Sequence, residues 1–185
     1  MLDDLMSKLE IDMQKVIDSL KKEFVTIRAG RANPALLEKV MVEYYGVPTP
    51  INQVANISAP EPRLLVIQPW DRSVIAAIEK AILKSDLGLT PTNDGTVIRI
   101  SIPQLTQERR NELVKVVKKK AEEFRVIIRN MRRDANDKIK KMEKEHTISE
   151  DESRKAIEQV QKLTDKHIEL IDKALEKKEA EILEV

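Results

Sequence analysis

The sequence contains no cysteine, so disulfide frameworks, thiolate zinc sites and cysteine nucleophiles are excluded. Aromatic residues make up only 3% of the chain, too few to fill a thick globular core with rings. Leu, Ile, Val, Met and Ala must fill it, and they suffice in the narrow seams between long helices. Glycine occurs at four positions only, 30, 46, 88 and 95, and no phosphate-cradling loop can be assembled from them. The two histidines, His146 and His167, are not spaced as a metal-binding pair on one helical turn. No run approaches the ~20 apolar residues that cross a bilayer, and Asp3 and Asp4 break any leader-like start. A cytosolic protein without membrane association is expected, and neither metal nor cofactor is expected.

What is present is charge and helical periodicity. The chain has 185 residues, of which 41% are hydrophobic and 35% charged. That is apolar enough to fold and long enough for one large domain or two small ones. The net charge of +1 conceals an uneven distribution. Residues 1–30 carry −1, 31–104 are neutral, 105–145 carry +6 and 146–185 carry −4. A polyanionic partner is suggested by where the charge lies, not by its total.

Residues 2–28 read as an amphipathic helix, with Leu2, Leu5, Leu9, Met13, Val16, Leu20, Phe24 and Ile27 recurring at steps of three and four. Gly30 is placed to cap it. From 31 to 104 the character changes. All eight prolines fall between Pro34 and Pro103. Short β-rich runs occur at 39–45, 54–58, 64–68 and 97–102, with turns at Gly46 and at Asn93-Asp94-Gly95. One helix is expected over about 72–86, starting near Asp71 or Ser73 and stopping at Gly88. Thr106 then opens a helix to about 145, carrying Leu113, Val117, Phe124, Ile128, Met131, Ala135 and Met142 on one face. Ser149 and Glu152 form a capping-box pattern for a last helix. Its stripe runs through Ile157, Val160, Thr164, His167, Ile171, Ala174 and Lys178, which gives His167 a packing role. His146 reads as a solvated turn residue.

The simplest way to bury three long stripes is one bundle. The expected fold is mainly α with an α+β insertion: a three-helix bundle from 1–30 and 105–185, and a small β/α/β domain at 31–104. Two chain crossings, near 29–31 and 102–106, join them and make a natural hinge. They comprise Ala29, Gly30 and Arg31, then Pro103, Gln104 and Leu105.

No nucleophile–base pairing emerges from these residues, and the carboxylates lie mostly on solvent faces of helices. The long second bundle helix is different. With Phe124 at 0° and ~100° per residue, Arg132 falls near ~80°, Arg125 near ~100°, Lys118 near ~120° and Arg129 near ~140°. Arg110 lies beside them near ~40°. Two readings stay open. One is a surface for RNA or another polyanion, contacted through backbone and shape because aromatics are missing there. The other is a solvated face held by local pairs, such as Glu122 with Arg125 or Asp134 with Lys138. A charged scaffold that binds protein is the competing class.

Several strings say more than periodicity does. They are Arg28-Ala29-Gly30-Arg31-Ala32-Asn33-Pro34, Val42-Glu43-Tyr44-Tyr45-Gly46-Val47-Pro48-Thr49-Pro50, Asp71-Arg72-Ser73, Ser85-Asp86-Leu87-Gly88-Leu89, Pro103-Gln104-Leu105-Thr106-Gln107-Glu108-Arg109-Arg110, and Arg129-Asn130-Met131-Arg132-Arg133-Asp134-Ala135-Asn136-Asp137-Lys138. Spread over the whole chain, they resemble the ribosome recycling factors. The resemblance implies an L-shaped, tRNA-sized, monomeric and non-enzymatic protein. Its bundle would bind large-subunit ribosomal RNA between the subunits after termination. Elongation factor G would engage the inserted domain, and GTP hydrolysis by that factor would drive subunit separation. It further implies that Arg132 and Arg129 contact rRNA phosphates, with Arg110 assisting. Lys118, Arg125 and Arg133 share the basic face. Arg28 and Arg31 either touch RNA or hold the domain junction, and Tyr44 and Tyr45 pack the first hairpin.

Overall fold

The structure, a computed structural model, describes residues 1–27 and 31–184. The chain divides into two compact units, one formed by Met1–Ile27 with Glu108–Val185, the other by Arg28–Gln107. The fold is mainly helical with an α+β insertion.

The first unit is a bundle of α1 (Leu2–Thr26), α3 (Gln107–Lys144) and α4 (Glu150–Leu183). Each buries one stripe of its surface: Leu9, Met13, Ile17, Leu20 and Phe24 on α1, and Leu113, Val117, Ala121, Phe124, Ile128, Ala135 and Ile139 on α3. On α4 the stripe is Ser153, Ala156, Val160, Thr164, His167, Ile171, Lys178 and Ile182. Steps of three and four keep these positions on one side of each helix. The deep position on α1 is Ile17, with Val16 only half-buried. On α3, Ala121 and Ile139 are buried, while Met131 and Met142 are partly exposed. The polar members of the α4 stripe find partners: Ser153 Oγ donates across to Glu143 Oε2 of α3 at 2.9 Å. Thr164 Oγ1 donates to the Val160 carbonyl at 2.8 Å. His167 Nδ1 lies 2.7 Å from the Leu163 carbonyl; a carbonyl can only accept, so the proton sits on Nδ1. His167 is thus a core residue.

The turn between α3 and α4 is built from hydrogen bonds. His146 takes a left-handed φ of 59°. The Thr147 N–H reaches back to the Met142 carbonyl at 2.9 Å, closing α3 as a Schellman-type cap. Ser149 Oγ then accepts from the Glu152 N–H at 3.0 Å and the Glu152 carboxylate from the Ser149 N–H at 3.5 Å. The expected capping box is present. α1 ends earlier than expected, at Thr26, and Ile27 is extended. Gly30, expected to cap it, lies outside the described residues.

The second unit contains a hairpin of β1 (Met41–Tyr44) and β2 (Val47–Pro50), then β3 (Ala55–Glu61), β4 (Leu64–Pro69), α2 (Ile75–Lys84), β5 (Pro91–Asn93) and β6 (Ile98–Ser101). Tyr45 and Gly46, with φ of 49° and 79°, form the two-residue hairpin turn of mirror-image type that matches strand twist. The other strands make an antiparallel sheet in the order β3-β4-β6-β5. Leu65, Ile67, Ile98 and Ile100 of the sheet bury against Ile78 and Ile82 of α2, with Leu37 and Ile51 completing the core. β2 tolerates Pro48 and Pro50 because it is an edge strand. The single expected helix over 72–86 is in fact a 3₁₀ turn, Arg72–Val74, running into α2, which ends at Lys84. Asp71 starts it: its Oδ1 accepts from Ser73 N at 3.0 Å and Ser73 Oγ at 2.8 Å.

Candidate nucleic-acid interface

Arg125, Arg129 and Lys118 of α3 pair with carboxylates of α3 and α4, and Arg132 with an amide of α4. Arg125 is the most enclosed, its side chain 19% exposed. Its Nε donates to Asp172 Oδ1 at 2.8 Å, with Nη2 2.7 Å from the same oxygen. Its Nη1 donates to Glu122 Oε2 at 3.0 Å. The other oxygen of Glu122, Oε1, accepts from Arg129 Nη1, also at 3.0 Å. These bonds, Arg125 first and Arg129 second, hold the Glu122 carboxyl below the usual carboxylate range. Farther along, Arg132 Nη1 donates to Gln161 Oε1 at 3.4 Å, and Gln161 Nε2 donates to Asp165 Oδ1 at 2.8 Å. Lys118 Nζ lies 3.9 Å from Glu179 Oε1. Arg133 is exposed.

A guanidinium carries five N–H donors on three nitrogens. Arg125 commits all three nitrogens to carboxylates. Arg129 and Arg132 each commit one in the bonds above. The stripe is therefore two kinds of residue: an anchored one, Arg125, and more open ones, Arg129, Arg132, Arg133 and Lys118. The open ones keep planar forks or ammonium donors on the surface, the groups that suit phosphate oxygens.

Arg110 departs from the expected exposure. Only 6% of it is accessible. Its Nη1 donates to the Ile182 carbonyl at 3.1 Å and also to the Glu184 carbonyl. These acceptors belong to the end of α4, where helix carbonyls lack partners within the helix and a cation is favoured by the macrodipole. The helical wheel had already set Arg110 nearest the core face, and the structure turns it inward as a clamp on the neighbouring helix end.

Of the crossing residues, Arg28, Ala29 and Gly30 lie outside the described residues. Arg31, Pro103 and Gln104 are exposed and Leu105 is half-buried. Gln104 Oε1 accepts from Arg63 Nη1 at 3.1 Å, and the Ile102 N–H donates to the Arg63 carbonyl at 2.8 Å. Tyr44 and Tyr45 meet edge to face at the hairpin turn, with ring centroids 4.5 Å apart.

Periodicity found the arginines but not what orders them. Glu122 was legible only as a helix-local partner of Arg125; its second bond, to Arg129, spans seven residues and depends on rotamers. Asp172 and Gln161 come from α4, and only the packing of α3 on α4 selects them. The local pair expected between Asp134 and Lys138 does not form. Among the described residues no group of three or more His, Cys, Asp or Glu is placed to hold a metal ion, and no helix is long and apolar enough to cross a membrane.

Comparison with known proteins gives first a class, that of translation factors. A family model described as ribosome recycling factor matches residues 20–183. The ribosome-recycling factor of Heliobacterium modesticaldum is 68% identical over 185 residues, all of both chains, and that of Carboxydothermus hydrogenoformans is 65% identical over the same full span. Among solved structures, a solution structure of ribosome recycling factor is 48% identical with a TM-score of 0.82, covering 100% of this chain and 98% of the other. Another, described as models for the T. thermophilus ribosome recycling factor and the E. coli elongation factor G bound to the E. coli post-termination complex, is 51% identical with a TM-score of 0.69, covering 99% of each chain. The chain belongs to the ribosome recycling factor family.

Proposed function

We propose that this chain binds the post-termination ribosome in the cytoplasm, as a monomer, and prepares it for reuse together with elongation factor G. In this reading GTP hydrolysis by elongation factor G drives the subunits apart and releases mRNA and tRNA. The chain itself catalyses nothing. The bundle takes large-subunit rRNA through the open cations of α3, chiefly Arg129 and Arg132, with Lys118 and Arg133 adding charge. The observation that carries the reading is the surface array along α3, where guanidinium groups stand with uncommitted nitrogens beside an anchored Arg125. The relative solved on a post-termination complex with elongation factor G supports the choice of partners.

The unit boundaries near 29–31 and 102–106 serve in this reading as a hinge between a ribosome-binding bundle and a mobile inserted domain. Two short covalent crossings permit rotation without breaking either core.

The test is subunit splitting followed by light scattering, on ribosomes holding mRNA and deacylated tRNA, with elongation factor G and GTP. Scattering falls when the chain is added. The fall is lost with Arg132→Ala, whose ribosome binding weakens by ~1–3 kcal/mol. Unchanged splitting by a folded Arg132→Ala protein refutes the assignment of the α3 face.

A further inference from the structure

We propose that Glu122 is a positioning residue that sacrifices attraction for geometry on the RNA-facing surface of α3, an inference that rests on the proposed ribosome-binding role of that face. A carboxylate in the middle of a phosphate-binding stripe is wrong by charge alone. Glu122 and Asp172 together offset the charges of Arg125 and Arg129, so this part of the stripe attracts polyanions less than two guanidinium groups alone would. Its value must come from arrangement.

The arrangement runs as a relay. Asp172 on α4 takes two nitrogens of Arg125, at 2.8 and 2.7 Å, and fixes that guanidinium between the helices. Arg125 passes its Nη1 to one oxygen of Glu122, and the other oxygen takes Arg129 Nη1, both at 3.0 Å. Arg129, otherwise a long side chain with much rotamer freedom, is thereby tied to the rigid α3–α4 packing. It retains Nε and Nη2, an edge able to fork onto one phosphate. Ordering that edge before contact removes part of the entropy cost of binding. The hydrogen bonds that hold the Glu122 carboxyl low keep it ionised throughout the neutral range.

Simple electrostatics and positioning predict opposite signs. Removing the carboxylate raises the charge of the face by one. If charge is what matters, every RNA binds more tightly. If position matters, nonspecific RNA binds more tightly while the ribosome binds less tightly. The experiment compares Glu122→Ala and Glu122→Gln with the parent chain, measuring affinity for intact ribosomes and for a heteropolymeric RNA duplex over a salt series. Glu122 is largely exposed, and thermal melts verify that both variants fold. We expect Glu122→Ala to lose ~3- to 10-fold in ribosome affinity while duplex affinity rises and its salt dependence steepens. Glu122→Gln, which has the same charge but keeps one acceptor, loses less. The inference is overturned if Ala and Gln behave alike, if ribosome affinity rises with duplex affinity, or if neither changes. Arg129→Ala and Arg132→Ala are measured alongside. If neither weakens ribosome binding, it is the ribosome-binding role of the face that fails, whatever the Glu122 variants do.

Discussion

The burial of Arg110 leads to a quantitative expectation. Replacing it with Met keeps an apolar stem of similar length in the bundle and removes only the guanidinium. The carbonyls of Ile182 and Glu184 then lose their donor. A hydrogen bond from a charged donor is worth ~1.5–3 kcal/mol, and a cation at a helix C-terminus adds ~0.3–1 kcal/mol. Against this, Met recovers the side-chain ordering and desolvation of a buried cation, on the order of 1–2 kcal/mol. The loss wins by roughly 1–2 kcal/mol. For a unit of this size that lowers Tm on the order of 10 °C. Circular dichroism melts give the value, and amide exchange locates it in the last turn of α4. Arg110→Lys, with charge but no planar fork, falls between. Ribosome affinity of Arg110→Met, measured well below its Tm, stays within about twofold of the parent. A variant as stable as the parent, or more stable, refutes the clamp and makes the buried guanidinium a net burden. A folded variant with tenfold weaker ribosome binding returns Arg110 to the RNA contacts.

Other expectations follow the same logic. Lys178 is 9% exposed, and burial pushes its amine below the ordinary lysine value although Glu181 lies 3.5 Å away. Lys178→Met therefore stabilises the bundle by about 1 kcal/mol at pH 7. Between the lowered folded value and the ordinary unfolded one the unfolded chain binds more protons, so parent stability rises with pH and the gap to the variant narrows as pH climbs toward ~10 in urea titrations. His146 pays a left-handed strain that glycine does not; His146→Gly gains about 0.5–1 kcal/mol after its own entropy cost, read from denaturant midpoints. Asp94 Oδ1 accepts from Val97 N and Thr96 N, and Oδ2 pairs with Arg99. The Val97 bond foremost, with Arg99 and Thr96 behind it, holds this carboxyl far below its usual range. Its contribution is complete above ~pH 4 and is lost as pH falls below that. Asp94→Asn accordingly weakens the β5–β6 hairpin at pH 7, and the difference from the parent shrinks in strong acid, as NMR-detected unfolding of β6 reports.

Elements with a long period were legible, and those made by short-range geometry were not. Three helices and their stripes follow from apolar spacing. The capping box follows because its two side chains sit three residues apart and act within one turn. β5 escaped notice since Pro91-Thr92-Asn93 has neither alternation nor length. The start of α2 was blurred because a 3₁₀ turn and an α-helix share the same early periodicity. Val16 and Ile17 were exchanged on α1 because adjacent positions differ by ~100° and either fits an apolar stripe. On the candidate interface the cations were visible and their order was not. Which arginine is anchored and which is open depends on carboxylates from another helix. Arg110 shows the same limit: angle alone put it between face and core, and only the arrival of the α4 terminus turned it inward.

The bundle is assembled from the two ends of the chain, with α1 packing along α4 and 80 residues of other structure between α1 and α3. During synthesis this sets an order. The inserted unit is contiguous and can close its core as soon as it emerges. α1, made before the insertion, waits for residues made after it. At ~5–20 residues per second the 78 residues of Glu108–Val185 take roughly 4–16 s to appear. Until α3 and α4 emerge the apolar stripe of α1 has no native partner, and a lone helix lacks the tertiary packing that supplies most helical stability in proteins. The high sequence separation of the α1–α4 contacts also slows their formation in the released chain. The newborn protein is therefore half folded and half exposed for seconds, and its first helix is where early association with chaperones or with other nascent copies would begin.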